Sequence, residues 1–200
     1  ILFCGVHFMS ETGKILNPSK TVLIPDLEAG CSLADSAETK EFSDWVNKHK
    51  NATVVSYINC SAEVKAMSDI ICTSSNAETI INSIPPNKPI LFAPDKFLGA
   101  YLSKKTGREL ILWNGYCQVH AIFSLKDLIK LKVRYPQAEV LAHPECAQEL
   151  LDHADFIGST TGLIKRTQKS SADQFIVVTE PGVIHQMEKL SPDKKYIPLA

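Results

Sequence analysis

Two hundred residues, 44% of them hydrophobic, can bury a sizeable core, and 21 Lys and Arg against 22 Asp and Glu leave the chain nearly neutral, with no long basic run. That composition argues against a nucleic-acid or membrane-surface partner, and no apolar stretch approaches the roughly 18–20 residues of a membrane-spanning helix. The six cysteines are dispersed rather than packed into a secreted disulfide framework, which predicts a reducing, cytoplasmic setting.

Taken in chain order, Ile1-Leu2-Phe3-Cys4-Gly5-Val6 is an apolar run ended by glycine and predicts a buried strand. No signal peptide is visible, and the first residue is Ile1 rather than Met, so the true N-terminus is expected to be absent. A helix follows over about Met9 to Leu16, and Asn17-Pro18-Ser19 stops it because proline cannot continue the hydrogen-bond ladder. Thr21 to Ile24 reads as a strand, and a polar loop from Leu27 to Ser32 carries Cys31.

The grammar then recurs. A helix near Glu41 to His49 precedes a strand at Thr53 to Tyr57. A helix about Ser61 to Met67 leads to a strand at Asp69 to Cys72, a capping loop Thr73-Ser74-Ser75-Asn76, and a helix Ala77 to Ile84. Pro85-Pro86-Asn87 breaks the chain before a strand at Pro89 to Phe92. Further on, a helix near Leu125 to Leu131 precedes a strand at Ala138 to Ala142, ended by His143-Pro144-Glu145. Cys146 to His153 reads as helix, Ala154 to Ile157 as strand, Gly158 to Thr161 as loop and Gln174 to Val178 as strand.

The second and third stretches align at an offset of about 86 residues: Tyr57 falls on His143, Asn59 on Glu145, Cys60 on Cys146, Asp69 on Asp155 and Ser74 on Thr160. Cys31 and Cys117 obey the same spacing. The first stretch aligns at about 68 residues and lacks its own opening helix and strand. This predicts three units: 1–36 the remainder of the first, 37–122 the second, and 123–200 a third whose end is missing. Strands alternating with helices predict an α/β fold of three-layer αβα units with parallel sheets covered on both faces. Ligands in such folds bind beyond the carboxyl ends of the strands, where the aligned polar residues lie.

Cys31 and Cys117 each sit in a short loop beside glycine, where a thiolate can reach a metal, although two unrelated thiols would look the same. A third copy of the loop falls near position 203. Three converging thiolates suit a 4Fe-4S cluster with one open iron, and they also suit zinc. His143 and Glu145 at a strand end can bind a dicarboxylate and move protons, or simply close a surface turn. Ser74 and Thr160 sit at loop-to-helix junctions that serve either as anion sites or as ordinary caps. Tyr57 and Asn59 can hydrogen-bond a substrate or close a turn. Cys4, Cys60, Cys72 and Cys146 read as buried small hydrophobes, and Trp45 and Trp113 as packing residues.

Several long, ordered motifs resemble the quinolinate synthase family. They are Phe3-Cys4-Gly5-Val6-His7-Phe8-Met9-Ser10-Glu11-Thr12, Pro25-Asp26-Leu27-Glu28-Ala29-Gly30-Cys31-Ser32-Leu33, Tyr57-Ile58-Asn59-Cys60-Ser61-Ala62-Glu63, Thr73-Ser74-Ser75-Asn76, Ala93-Pro94-Asp95-Lys96, His143-Pro144-Glu145 and Gly158-Ser159-Thr160. The resemblance covers the whole chain. It implies condensation of iminoaspartate (iminosuccinate) with dihydroxyacetone phosphate to quinolinate in de novo NAD biosynthesis, with a functional link to L-aspartate oxidase. It also implies three αβα units about a pseudo-threefold axis and a 4Fe-4S cluster held by one cysteine per unit.

By position, Cys31 and Cys117 resemble the first two cluster ligands, and a third would lie just beyond Ala200. The open iron would act as a Lewis acid. The same resemblance places Tyr57, Ile58, Asn59, Ser74, His143, Pro144, Glu145, Ser159 and Thr160 at the substrate. It gives proton transfer to Glu145 and catalytic contacts to Tyr57 and His143. The family's N-terminal pocket residues are absent here, so the isolated fragment is expected to be inactive. Two other classes remain open: a non-catalytic α/β repeat binding protein, and a zinc hydrolase using Cys31, Cys117 and His143.

Overall fold

The computed structural model describes residues 1–199. They gather into two compact units, one spanning Ile1–Tyr116 and the other beginning at Cys117.

The first unit holds a four-stranded parallel sheet of β1 (Thr53–Tyr57), β2 (Ile70–Cys72), β3 (Ile90–Ala93) and β4 (Ile111–Leu112), in the order β2-β1-β3-β4. The second holds β5 (Glu139–Ala142), β6 (Phe156–Ile157), β7 (Gln174–Val178) and β8 (Lys195–Pro198), in the order β6-β5-β7-β8. Every pairing in both sheets is parallel. The registers repeat as well: Val55 faces Ile70 in one sheet and Leu141 faces Phe156 in the other, each pair displaced along the chain by the spacing read from the sequence. The α/β class and its parallel sheets therefore follow the expected pattern. The central strands are buried along nearly their whole length and mostly apolar, because a parallel strand is covered on both faces.

The two sheets also share a backbone clamp. The Asp69 amide donates to the Val54 carbonyl at 2.9 Å while the Asp69 carboxylate accepts from the Val54 amide at 2.8 Å. Asp155 and Val140 repeat both bonds at the same two distances. Each aspartate thus ties the start of an edge strand to the central strand.

Phe42, Val54, Val64 and Leu91 form the core of the first unit, with Trp45 and Trp113 packed against it. The two indoles meet edge to face at 5.3 Å, and Trp113 Nε1 donates to the Ser36 carbonyl at 2.9 Å. Trp113 is therefore a packing residue that also pins the end of the short helix Ser32–Asp35. Leu141, Leu163, Phe175, Val177 and Met187 form the core of the second unit.

Helix N-termini are capped where the sequence offers a carboxylate or hydroxyl: Asp95 for Lys96–Thr106, Ser124 for Leu125–Arg134, and Ser159 for Thr160–Lys169. Gly107, at φ 68°, closes the helix Lys96–Thr106 in the left-handed region that glycine enters without steric cost.

Three expectations are corrected at the N-terminal end. Residues 1–6 are not a buried strand: one parallel bridge joins Leu2 to Leu23, and the two side chains are 63% and 58% exposed. In the repeated units the corresponding strands β2 and β3 flank a central strand, whereas among the described residues Leu2 and Leu23 bridge each other directly. Cys4 lies on this open edge and is exposed rather than buried. The first helix runs His7–Leu16, two residues longer at its start than expected. The helix expected over Cys146 to His153 is confined to Gln148–Leu151, because Cys146 is held back by its amide bond to the His143 carbonyl. Among the described residues, no helix is long and apolar enough to cross a membrane.

Candidate functional site

The polar residues collect at the carboxyl ends of the central strands β1 and β5, as a parallel α/β sheet requires. Each unit contributes its own set.

In the first unit, Tyr57 is the last residue of β1 and is buried. The Ile58 amide donates to the Cys72 carbonyl at 2.8 Å and the Cys60 amide donates to the Ile58 carbonyl at 2.9 Å. This turn presents Ile58 and Asn59 to a groove of about 550 Å³, which Cys31 also lines together with Phe3, Phe8 and Met9. Cys31 is half-buried and is the N-cap residue of Ser32–Asp35. Ser74 is half-buried in the turn Thr73–Asn76, where the Thr73 amide donates to Asn76 Oδ1 at 2.7 Å. Cys60 and Cys72 are buried, and desolvation pushes their thiols up to about 11 and about 12, so they stay protonated. Lys65 donates to the Cys60 carbonyl and stands 5.4 Å from the Phe8 ring centre, while Glu11 accepts from the Ala62 amide at 3.0 Å.

In the second unit, Cys117 is the half-buried N-cap residue of the helix Gln118–Ala121, matching Cys31 in place. His143, Pro144 and Glu145 follow β5 directly and all three are buried. The His143 and Glu145 residues are each only 3% exposed. The expected surface-turn alternative for this segment is excluded by that burial.

A third polar residue joins them. His120, 6% exposed, stacks on His143 with ring centroids 5.1 Å apart and 23° between planes. Its Nδ1 stands 3.1 Å from Glu145 Oε2 without forming a hydrogen bond of good geometry, and its Nε2 lies 2.9 Å from Thr179 Oγ1. The Cys117 sulfur, a His120 ring nitrogen and a Glu145 oxygen lie within 4.8 Å of one another.

The two imidazoles are driven apart electrostatically. Burial opposes a charge on His120, but the Cys117 thiol and Glu145 carboxylate beside it outweigh burial and raise the ring to about 9. Burial lowers His143 to about 4; Glu145 opposes that shift, and the neighbouring His120 adds to it. His143 Nδ1 accepts from the Glu145 amide at 3.4 Å, which assigns the proton of the neutral ring to Nε2.

Ser159 and Thr160 separate in role. Ser159 Oγ accepts from the Gly162 amide at 3.2 Å and caps the helix, whereas Thr160 is exposed at its first position. Cys146 is buried and donates to the Val178 carbonyl at 3.4 Å.

His120 and Thr179 are absent from the sequence-based site. The repeat gives no help with either, since Ala34 occupies the position matching His120. The usable signal is local: Cys117-Gln118-Val119-His120 puts a thiol and an imidazole three residues apart, on one face of a helical turn.

A family model described as Quinolinate synthetase A protein matches residues 1–200. A quinolinate synthase of Synechocystis sp. is 61% identical over 199 residues, covering 100% of this chain and 63% of that relative. Those of Gloeothece citriformis and Trichodesmium erythraeum are 61% and 60% identical over 198 residues, covering 99% of this chain and 61% of each. The chain thus spans 61% to 63% of the length of these curated relatives. With the family model running through every residue and three fifths of positions shared with such relatives, the chain belongs to the quinolinate synthetase A protein family.

Proposed function

We propose that this chain is the larger part of a quinolinate synthase, a transferase of NAD biosynthesis that condenses iminoaspartate with dihydroxyacetone phosphate. The observation that carries the reading is Glu145, a buried carboxylate facing two stacked imidazoles of opposed proton affinity at the end of a central strand. Such an environment suits a group that takes and returns a proton. In this reading 1–36, 37–122 and 123–200 are successive units of a threefold repeat. The enzyme works in the cytoplasm with a functional link to L-aspartate oxidase, and the isolated fragment is inactive.

In this reading Cys31 and Cys117 are two of the three thiolate ligands of a 4Fe-4S cluster, as the family resemblance implies. Both are half-buried N-cap residues of four-residue helices, unlike the sealed thiols of Cys60, Cys72 and Cys146. When bound, the cluster supplies Lewis-acid polarisation of a substrate oxygen.

The remaining steps belong to side chains. Glu145 accepts a proton from carbon or nitrogen of the condensing substrates and returns it to a leaving oxygen. Neutral His143 offers its Nε2 proton to an anionic substrate oxygen, and its low basicity keeps it a hydrogen-bond donor rather than a competing base. Tyr57, Asn59, Ser74 and Thr160 hold carboxylate or phosphate oxygens through neutral donors. Ile58 and Pro144 supply the apolar wall, and Ser159 fixes the Thr160 turn by its cap.

The test is anaerobic reconstitution of the full-length protein with iron and sulfide, followed by quantification of quinolinate. Replacing Glu145 with Ala should lower turnover by about 100-fold or more, the usual contribution of a general acid–base group. Undiminished turnover in that variant removes the role given to Glu145, and absence of quinolinate from the reconstituted wild type removes the reading.

A further inference from the structure

Three donors of different chemistry converge in the second unit: a thiol, an imidazole and a carboxylate, all mutually within 4.8 Å. One edge of that triangle, His120 Nδ1 to Glu145 Oε2, is already 3.1 Å. Bond lengths of about 2.0–2.3 Å to zinc place tetrahedral ligand atoms roughly 3.5 Å apart, so the set is within a small rotamer adjustment of enclosing an ion.

The imidazole is also oriented for ligation. His120 Nδ1 is buried and makes no hydrogen bond, while Nε2 is engaged by Thr179 Oγ1 at 2.9 Å. A cation binding here displaces the Nδ1 proton, and a ring whose Nε2 stays on Thr179 then presents its Nδ1 lone pair on the side of the Glu145 carboxylate. This is the arrangement of a metal-binding histidine, whose second nitrogen is held by an outer partner that fixes the tautomer. Charge agrees: a thiolate and a carboxylate neutralise a divalent ion, and the set leaves a fourth position open. Thiolate, imidazole and carboxylate together select a borderline cation of the zinc class over magnesium or calcium.

We propose that Cys117, His120 and Glu145 form a mononuclear site for a zinc-class divalent cation, with Thr179 as its positioning residue, occupied whenever Cys117 is not engaged in an iron–sulfur cluster. The site differs from the zinc set weighed from the sequence, which used Cys31 and His143. It rests on the proposed function only in naming the cluster as the competitor for Cys117. An ion held there would also occupy Glu145, so the site provides a way for zinc to block cluster assembly and proton transfer together.

The experiment uses the protein stripped of iron and sulfide, kept reduced, and titrated with Co²⁺ and then Zn²⁺. One equivalent of cobalt should give a sulfur-to-cobalt charge-transfer band together with intense tetrahedral bands, and one equivalent of zinc should discharge both. Cys117→Ser should remove the sulfur band. Thr179→Val should weaken cobalt binding by about 10- to 100-fold, the usual cost of losing an outer-sphere partner, and Thr179→Ser should restore it, which separates the hydroxyl's effect from misfolding. Glu145→Gln should weaken binding, and Cys31→Ser should leave it unchanged. Protein loaded with zinc should take up iron and sulfide less completely than metal-free protein.

Cobalt bound without a sulfur band, binding abolished by Cys31→Ser, or wild-type affinity in both Thr179→Val and Glu145→Gln would each overturn the site. Cluster formation by the metal-free wild type is read separately by its own absorbance, so loss of this site and loss of the quinolinate synthase reading are distinct results.

Discussion

Removing the carboxylate of Asp155 should destabilise the second unit by about 1–2 kcal/mol. The Val140 residue is fully buried and its amide has the Asp155 carboxylate as acceptor at 2.8 Å. A hydrogen bond to a charged acceptor contributes about 1.5–3 kcal/mol, and leaving its buried donor unmet costs a similar amount. Asp155 itself is exposed, so water recovers part of that loss and the lower half of the range applies. With a urea slope near 2 kcal/mol/M, Asp155→Ala should lower the unfolding midpoint by about 0.5–1 M. Asp155→Asn keeps an acceptor oxygen in place and should lose less than half as much. Asp69→Ala should behave alike, because the distances around Val54 are the same. Urea unfolding followed by circular dichroism measures all three. An alanine variant within about 0.3 kcal/mol of wild type, or an asparagine variant as damaged as alanine, would refute the clamp as a source of stability.

Ser159→Ala should lower stability by about 1 kcal/mol through loss of the helix cap, whereas Thr160→Ala should leave the urea midpoint unchanged. Gly115→Ala should cost about 1–3 kcal/mol in the same assay, since an added Cβ would meet the Pro94 carbonyl oxygen at 2.5 Å and Ser36 Oγ at 2.2 Å. Brief alkylation near pH 8, read by mass spectrometry, should label Cys4, Cys31 and Cys117 and spare Cys60, Cys72 and Cys146. The protonated forms of Cys60 and Cys72 are favoured on folding, so their contribution is full below the ordinary thiol value of 9.0. It is lost as pH rises towards about 11 and about 12, and stability should decline across that alkaline window.

Much of this architecture is legible in the sequence because the repeat works at several levels together. The displacement that pairs Asp69 with Asp155 also pairs β1 with β5 and Cys31 with Cys117, so strand, clamp and loop reinforce one another. His143 and Glu145 are visible because proline ends a strand between them. His120 is not, because a non-repeated side chain on a four-residue helix has neither periodicity nor an aligned partner. Thr179 is hidden for a related reason: its place in the site depends on β7 lying beside β5, which no local pattern states. The apolar run at residues 1–6 predicts a strand, but among the described residues it makes a single bridge, Leu2 to Leu23, because an apolar run becomes a buried strand only where a neighbour covers it.

The shared position of Tyr57 and His143 has a consequence of its own. One repeated strand-end position carries two different chemistries. The earlier copy ends in a phenol and an amide, which can recognise a ligand without exchanging protons at neutral pH. The later copy ends in an imidazole and a carboxylic acid, which can. In the proposed reading, recognition and proton transfer fall to different copies of the repeated loop, so a substitution at Tyr57 or Asn59 is expected to act on binding and one at Glu145 on turnover.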